Sequence, residues 1–434
     1  MASIYERMFG IKPCIIAAYP FGSKQGGARL HPEVVEAMAE AAAYNVDMHE
    51  LLKSASEKIA EMLGVEAAFI TAGACAGLTL ASAAVMTRED VRLMEQLPET
   101  EHPVKMKNEL IMQLGHTTHY LGCFKASGAK LVVVGGDYLP RGRVGGATWE
   151  EFNESWWTGA QEGWLFHPLV YDKAKKKYIR VLKVLPGHIE NAINERTAAL
   201  VYVRSAMCVR GEYEVPLEEE VEIARKYNLP VIVDYAAEAY KVSHFRRALD
   251  KGADLVVFSG GKEIMGPNDT GIVLGRKDLI EAISLNSSPH YRIIMGRGFK
   301  VSKEQIVGLV VALEKRLEMD EEAEIKRDLN LCNYIVSKFE GFPHVKASVY
   351  IPDDEVEGII GHQFPFAMLK LNEEALGVKA HEVAPKLYEE EPKIYLSKYL
   401  ANWGYVDFVP HGLRDGEVDI VIERIKRIIS KNIK

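Results

Sequence analysis

No run in this sequence approaches the ~18 consecutive apolar residues that a membrane-crossing helix needs. The N-terminal stretch MASIYERMFGIKPCIIAAYPFG carries Glu6, Arg7 and Lys12 and lacks the long apolar core of a secretory leader. Cysteine is scarce: Cys14, Cys75, Cys123, Cys208 and Cys332 are widely scattered, with no CxxC or Cys/His ligand spacing. That pattern argues against a metal site or a disulfide framework and points to a reducing compartment. No basic block tracks a phosphate backbone; the net charge is −8, with acidic and basic residues mixed along the chain. Nucleic acid is therefore not a favoured partner. Internal repeats and low-complexity segments are also missing. These absences predict a cytoplasmic, globular protein without a resident metal.

What is present fills 434 residues at 48% hydrophobic and 26% charged, enough for two domains with a sizeable core. From 33 to 63 the spacing of apolar residues is helical, with Pro32 at a first-turn position and Gly64 as a stop. Seven short apolar runs follow: AAFIT (67–71), ELIMQ (109–113), KLVVV (130–134), AALVYV (198–203), PVIVD (230–234), DLVVFS (254–259) and TGIVL (270–274). Most are continuous rather than alternating, as expected of strands buried on both faces of a mostly parallel sheet between helices. The fold class is α/β, with ligands expected beyond the carboxyl ends of the strands.

Residues 137–185 interrupt this rhythm with RGRVGG, Trp156, Trp157, Trp164 and YDKAKKKY, read as an insertion that is either lid-like or a structured hairpin. Ser302 with Gln305 forms a capping-box signature ahead of EQIVGLVVALEKRLE. MDEEAE reads as a solvated face. KASVYI, PFAMLKL, KIYLS and YVDFVP read as strands of a small sheet, and DGEVDIVIERIKRIISKNIK as a terminal amphipathic helix. The expected division is an N-terminal arm 1–25, a large domain 26–290 and a smaller α+β domain 291–434.

Three strand ends carry chemistry. In AAFITAGACAGLTLASAA, small residues from Thr71 to Gly77 open a helix: an anion cup, or a tight turn. In PVIVDYAAE, Asp234 ends its strand as a metal ligand, a helix cap or a partner for a cation. In FSGGKEIMGPNDTG, Lys262 follows Asp234 by 28 residues, with Ser259 three before it and Gly260 and Gly261 leaving room for a bulky adduct. Alone, Lys262 could contact phosphate, anchor a carbonyl compound or sit at the surface. Together, cup, acid, serine and lysine fit pyridoxal phosphate, which needs an amine for its aldehyde, an acid for its ring nitrogen and amides for its phosphate.

With those residues in view, the chain resembles a fold-type-I pyridoxal-phosphate enzyme. It is similar to the family that groups L-seryl-tRNA(Sec) selenium transferase with D-glucosaminate-6-phosphate ammonia-lyase. The resemblance runs from about Gly26 to about Leu313, over GGARLHPEVVEAMAEAA, TAGACAGL, VIVDYAAE, GADLVVFSGGKEIMGPNDTGIVLGRKDLI and GRGFKVSKEQIVGLVVALE. It implies the aspartate aminotransferase type of fold. It implies Lys262 as the Schiff-base lysine and general acid/base, and Asp234 at the pyridine nitrogen. His116 would stack on the ring, with Tyr120 beside it. Gly73, Ala74, Cys75 and Ser259 would meet the phosphate, and Ala236 and Thr270 would line the cofactor. It implies a homodimer or larger homo-oligomer, with GPNDTG serving a neighbour's phosphate. Arg29, Arg297 and Arg414 are candidates for a substrate carboxylate, with Lys300 assisting.

Two departures stand out. Thr117 replaces the arginine that lyase-like members tend to carry after the histidine, and the 137–185 excursion is unusual. Both argue against a phosphorylated sugar-acid substrate. Some 25 residues precede GGARL, which disfavours a tRNA substrate. The leading expectation is α,β-elimination from a small amino acid or amino-sugar acid, the ammonia-lyase or dehydratase type. Transamination, sulfur or selenium transfer, and a non-catalytic binding protein on the same fold are the competing readings.

Overall fold

The structure, a computed structural model, describes residues 2–118, 120–135, 184–205, 208, 214–290, 294–351, 364–398 and 400–430. It also describes the backbone of short strands at Tyr138–Leu139, Arg143–Val144, Ala147–Thr148, Leu169–Asp172 and Lys177–Arg180. The three tryptophans of the excursion and His119 lie outside the described residues. The chain forms two compact units, Gly26–Gly159 with Leu165–Met319, and Met1–Gln25 with Asp320–Lys434.

All seven apolar runs are strands of one sheet in the larger unit: β1 (Ala67–Thr71), β2 (Glu109–Gln113), β3 (Lys130–Val134), β4 (Thr197–Val203), β5 (Val231–Asp234), β6 (Leu255–Ser259) and β7 (Gly271–Gly275). Their order is β1-β7-β6-β5-β4-β2-β3. β6 through β3 run parallel, while β7 is antiparallel to both its neighbours. Every residue of β4, β5 and β7 is buried, which accounts for their unbroken apolar character.

Helices cover this sheet. α1 (Pro32–Ala42) begins with proline at its first turn. α2 (Met48–Leu63) is capped by Asp47, whose Oδ1 accepts from the His49 and Glu50 N–H groups, and it ends at Gly64 with φ +61°. α3 (Gly73–Thr87) is buried continuously from Ala76 to Thr87. A Cβ on Gly77 would stand 2.7 Å from Val257 of β6, so only glycine lets α3 approach the sheet this closely. α4 (Leu217–Lys226) precedes β5, and α5 (Lys277–Leu285) follows β7. α6 (Lys303–Glu318) carries the expected Ser302–Gln305 capping box.

The domain boundary differs from the expected 290/291. Ile306, Leu309, Ala312 and Leu313 of α6 join one core with Val34 of α1 and Ile59 of α2, so α6 belongs to the larger unit and the division falls at Asp320. Asp320 itself caps α7 (Glu321–Phe339), its side chain accepting from the Ala323 N–H. The acidic cluster is thus a helix start as well as a solvated face.

The smaller unit holds an antiparallel sheet of β8 (Val345–Tyr350), β9 (Phe366–Leu371) and β10 (Tyr405–Phe408), with β9 in the centre, and the terminal helix α8 (Glu417–Ile429). KIYLS is not part of that sheet. Its Ile394–Leu396 pairs in parallel with Ile15–Ala17, so the arm 1–25 contributes a strand to the smaller unit.

Candidate active site

The sheet register brings the three sequence motifs to one place. Thr71 at the end of β1 pairs with Gly271, and Gly271 pairs with Ser259 at the end of β6. Two residues back along β6, Val257 pairs with Asp234, which in turn pairs with Val203 of β4. Cup, serine, acid and lysine turn therefore sit on adjacent strand ends.

The cup is the first turn of α3. Gly73 has φ +85° and open space where a side chain would lie, and no side chain caps the helix start. The amides of Gly73, Ala74 and Cys75 are thus presented at the positive end of a 15-residue helix. Ser259 is half-buried, and its hydroxyl has no partner among the described residues.

Lys262 is half-buried, and its amine makes no hydrogen bond or ion pair among the described residues. Asp234 is 6% exposed. Its Oδ1 accepts from the Ala236 N–H at 3.0 Å, while Oδ2 has no donor among the described residues. Burial pushes the Asp234 carboxyl up, and the Lys262 ammonium pulls it back. A buried carboxylate with one unserved oxygen calls for a cationic or N–H partner.

The two glycines before Lys262 do not provide clearance for an adduct, as the sequence suggested. A Cβ on Gly260 would strike Thr270 Oγ1 and Leu309, and one on Gly261 would strike the Asn268 backbone. The GPNDTG turn packs directly on them: Gly266 N–H donates to Gly260 O (2.8 Å), and Gly260 N–H to Thr270 O (2.7 Å). Thr270 is fully buried and donates its hydroxyl proton to Pro267 O at 2.6 Å. The glycines thus let this return turn clasp the lysine loop, and Ala28 N–H closes it from the other side through Gly261 O (3.0 Å).

His116 is completely buried. Its Nε2 lies 2.8 Å from Glu214 Oε2, its Nδ1 is 3.4 Å from the Val203 N–H, and its ring meets Tyr202 edge-on at 4.4 Å. Tyr202 donates to the same Glu214 oxygen at 3.1 Å. His116 is therefore locked beside the ends of β4 and β5. Tyr120 is 49% exposed, and its hydroxyl is pushed up by burial and by the charges of Asp234 and Cys123.

Arg29, Arg297 and Arg414 are all exposed. Arg29 adjoins the Ala28–Gly261 hydrogen bond and so borders the lysine loop. Arg297 lies on the short helix Arg297–Phe299 of the larger unit, and Arg414 belongs to the smaller unit.

Sequence reasoning missed Arg204, Glu238, Glu214 and Cys123. Arg204 directly follows β4, donates its N–H to Asp234 O (3.0 Å), places Nε 3.3 Å from Glu238 Oε2 and lies over Tyr235. Its signal was a charge directly after the apolar run, and Glu238 stands four residues after Asp234.

Behind His116, Gln113 clamps a second acid. Its Nε2 donates to Glu220 Oε2 (2.6 Å) and Val215 O, and its Oε1 accepts from the Val215 N–H. Burial pushes Glu220 up to about 8, helped by the nearby Glu214 charge and opposed by Gln113. Its ordinary value is 4.5. Between these limits the folded chain binds more protons than the unfolded chain. The Glu220 contribution to stability is thus whole below about pH 4.5 and is lost as pH rises to about 8. Glu220→Gln keeps an acceptor for Gln113 and cannot ionise. Relative to the parent it should gain stability by about 1.4 kcal/mol per pH unit across that window, measured by urea melts at pH 5 and 8. Parallel pH profiles for the two proteins would exclude this.

The sequence profile of L-seryl-tRNA selenium transferase matches residues 186–340. A solved structure of D-glucosaminate-6-phosphate ammonia-lyase superposes with a TM-score of 0.77 at 26% identity, covering 100% of both chains. The D-glucosaminate-6-phosphate ammonia lyase of Salmonella typhimurium is 27% identical over 98% of this chain and 98% of its own length.

The chain has the fold of the type-I pyridoxal-phosphate enzymes and is similar to this family over nearly its whole length.

A further relative is the 5'-C-glycyluridine monooxygenase-decarboxylase of a Streptomyces species, 29% identical over 97% of this chain and 90% of its own length. The protein described here is an enzyme, and its residues fit the cofactor of this type of fold. The uncapped α3 start and the Ser259 hydroxyl suit a phosphate, the unserved Asp234 oxygen suits a ring N–H, and the Lys262 amine suits an aldehyde.

Proposed function

We propose that this chain is a pyridoxal-phosphate-dependent lyase acting by α,β-elimination on a small amino acid or amino-sugar acid. The observation that carries this reading is the meeting of Lys262, Asp234 with its unserved oxygen, Ser259 and the first turn of α3 on adjacent strand ends. When bound, the cofactor supplies an electron sink for charge at the substrate α-carbon.

Each residue then has a task. The Gly73, Ala74 and Cys75 amides and the Ser259 hydroxyl hold the phosphate. Asp234 Oδ2 accepts the ring N–H, and the ionic pair that results offsets the cost of burying the carboxylate. Lys262 would hold the aldehyde, and its amine is placed to take a proton from the substrate α-carbon and to give one to the departing β-hydroxyl as general base and acid. Glu214, on His116 Nε2, keeps the His116 ring fixed against the end of β4, and Ala236 and Thr270 line the same floor. One of Arg29, Arg297 and Arg414 holds the substrate carboxylate. A cytoplasmic homodimer or larger homo-oligomer completes the reading. The exposed Ile4, Tyr5, Met8, Phe9 and Ile11 near the N-terminus support association.

The test is a panel of β-hydroxy-amino acids and amino-sugar acids. Release of keto acid and ammonia without an added acceptor supports elimination. Bleaching of the bound-cofactor absorbance that only an added keto acid restores would assign transamination instead. The monooxygenase-decarboxylase relative, matched over nearly the whole chain, supports a second reading, oxygen-dependent decarboxylation. Dioxygen uptake and carbon dioxide release that stop under anaerobic conditions would establish it and exclude simple elimination.

A further inference from the structure

Two cysteines converge on the cup. Cys75 lies exposed on the first turn of α3, and Cys123 is 6% exposed on the short helix Gly122–Lys125. The Thr79 hydroxyl is shared between Cys75 O at 3.0 Å and Cys123 O at 2.6 Å. Those carbonyl oxygens can be no farther apart than the two bonds laid end to end, so the two turns are stapled together at the cysteines themselves. The thiols interact as well. A hydrogen bond from Cys123 lowers Cys75 to about 7, against burial and the Asp234 charge, while Cys123 is pushed up. Cys75 is therefore the more readily ionised, and so the more nucleophilic, thiol of the pair. By contrast, Cys332 is wholly buried and pushed up to about 12.

We propose that Cys75 is a site of reversible oxidation by peroxide, with Cys123 as its resolving thiol. The Cys75 thiolate attacks the outer peroxide oxygen. The O–O bond breaks, one oxygen stays on sulfur as a sulfenic acid, and hydrogen peroxide's other oxygen leaves as water. The Cys123 sulfur then attacks Cys75 sulfur, the S–S bond forms, the S–O bond breaks, and the hydroxyl departs with the Cys123 proton as a second water. Two thiols lose two electrons and one peroxide gains them. Because the Cys75 N–H is a cup donor, a phosphate seated there should shield the thiol; this last point rests on the function proposed above.

The experiment titrates hydrogen peroxide into apo and pyridoxal-phosphate-loaded protein, alkylates the remaining thiols and maps peptides by mass. Visible absorbance reports loading separately. The expected result is a dithiothreitol-reversible link between the Cys75 and Cys123 peptides, absent from Cys75→Ser and Cys123→Ser, that forms several-fold more slowly in the loaded protein. In Cys123→Ser the pH midpoint for alkylating Cys75 should rise above about 7 toward the ordinary ~8.5. Over-oxidation of Cys75 in the apo parent, without a link to Cys123, would overturn the pair. Equal oxidation rates in loaded and apo protein would overturn the placement of Cys75 in the cup. Protein that never loads defeats the proposed cofactor, yet the apo arm still decides the thiol pair.

Discussion

Lys262→Ala should leave no cofactor that borohydride can fix to the chain and should cut turnover at least about 10³-fold. The size follows from two losses at one atom: the anchor for the aldehyde, and the base that moves the substrate proton. Folding should be largely spared, since the half-buried amine makes no hydrogen bond or ion pair among the described residues and acts on Asp234 only through space. Small primary amines should restore part of the rate, because the cup and Asp234 remain. Reduced protein is digested and the labelled peptide identified by mass. Label that persists at wild-type level in Lys262→Ala would refute the anchor.

Gly271→Ala should cost about 1–3 kcal/mol of stability and weaken cofactor binding at least tenfold. The new Cβ would stand 2.6 Å from the Gly73 carbonyl carbon and 2.8 Å from the Ala74 nitrogen, within the cup backbone itself. Gly271 is held between Thr71 and Ser259 at the ends of β1 and β6, so the strain passes to the cup rather than to solvent. The control is Gly187→Ala, where a Cβ meets nothing within 4 Å and stability should change by under about 0.5 kcal/mol. Urea melts measure the first effect and cofactor titration by absorbance the second. Parent-like values for Gly271→Ala in both would show that the cup does not depend on this contact.

The large sheet was legible because burial on both faces writes itself as continuous apolar runs, and the glycine and serine signals at its ends mark helix starts. The convergence of Lys262, Asp234 and the α3 turn was legible for the same reason: Asp234 ends such a run, and Lys262 and the α3 turn each follow one within three residues. What the sequence hid depends on partners far along the chain. Nothing near Gly260 reveals that Thr270 and Leu309 fill its Cβ space, so the glycines read as clearance when they serve packing. Glu214 reaches His116 from 98 positions away, and Cys123 meets Cys75 through a threonine that looks like an ordinary helix residue. The reach of α6 was misjudged because periodicity gives its apolar face but not the unit that face packs against.

The pairing of Thr71 with Gly271 joins positions about 200 residues apart. During synthesis the cup residues leave the ribosome long before the strand that seats them exists. Closing so long a loop is slow and must precede any hold on the phosphate. The cofactor therefore cannot guide the early steps of folding in this chain. It can act only by mass action on a sheet whose last strand, Gly271–Gly275, is already in place.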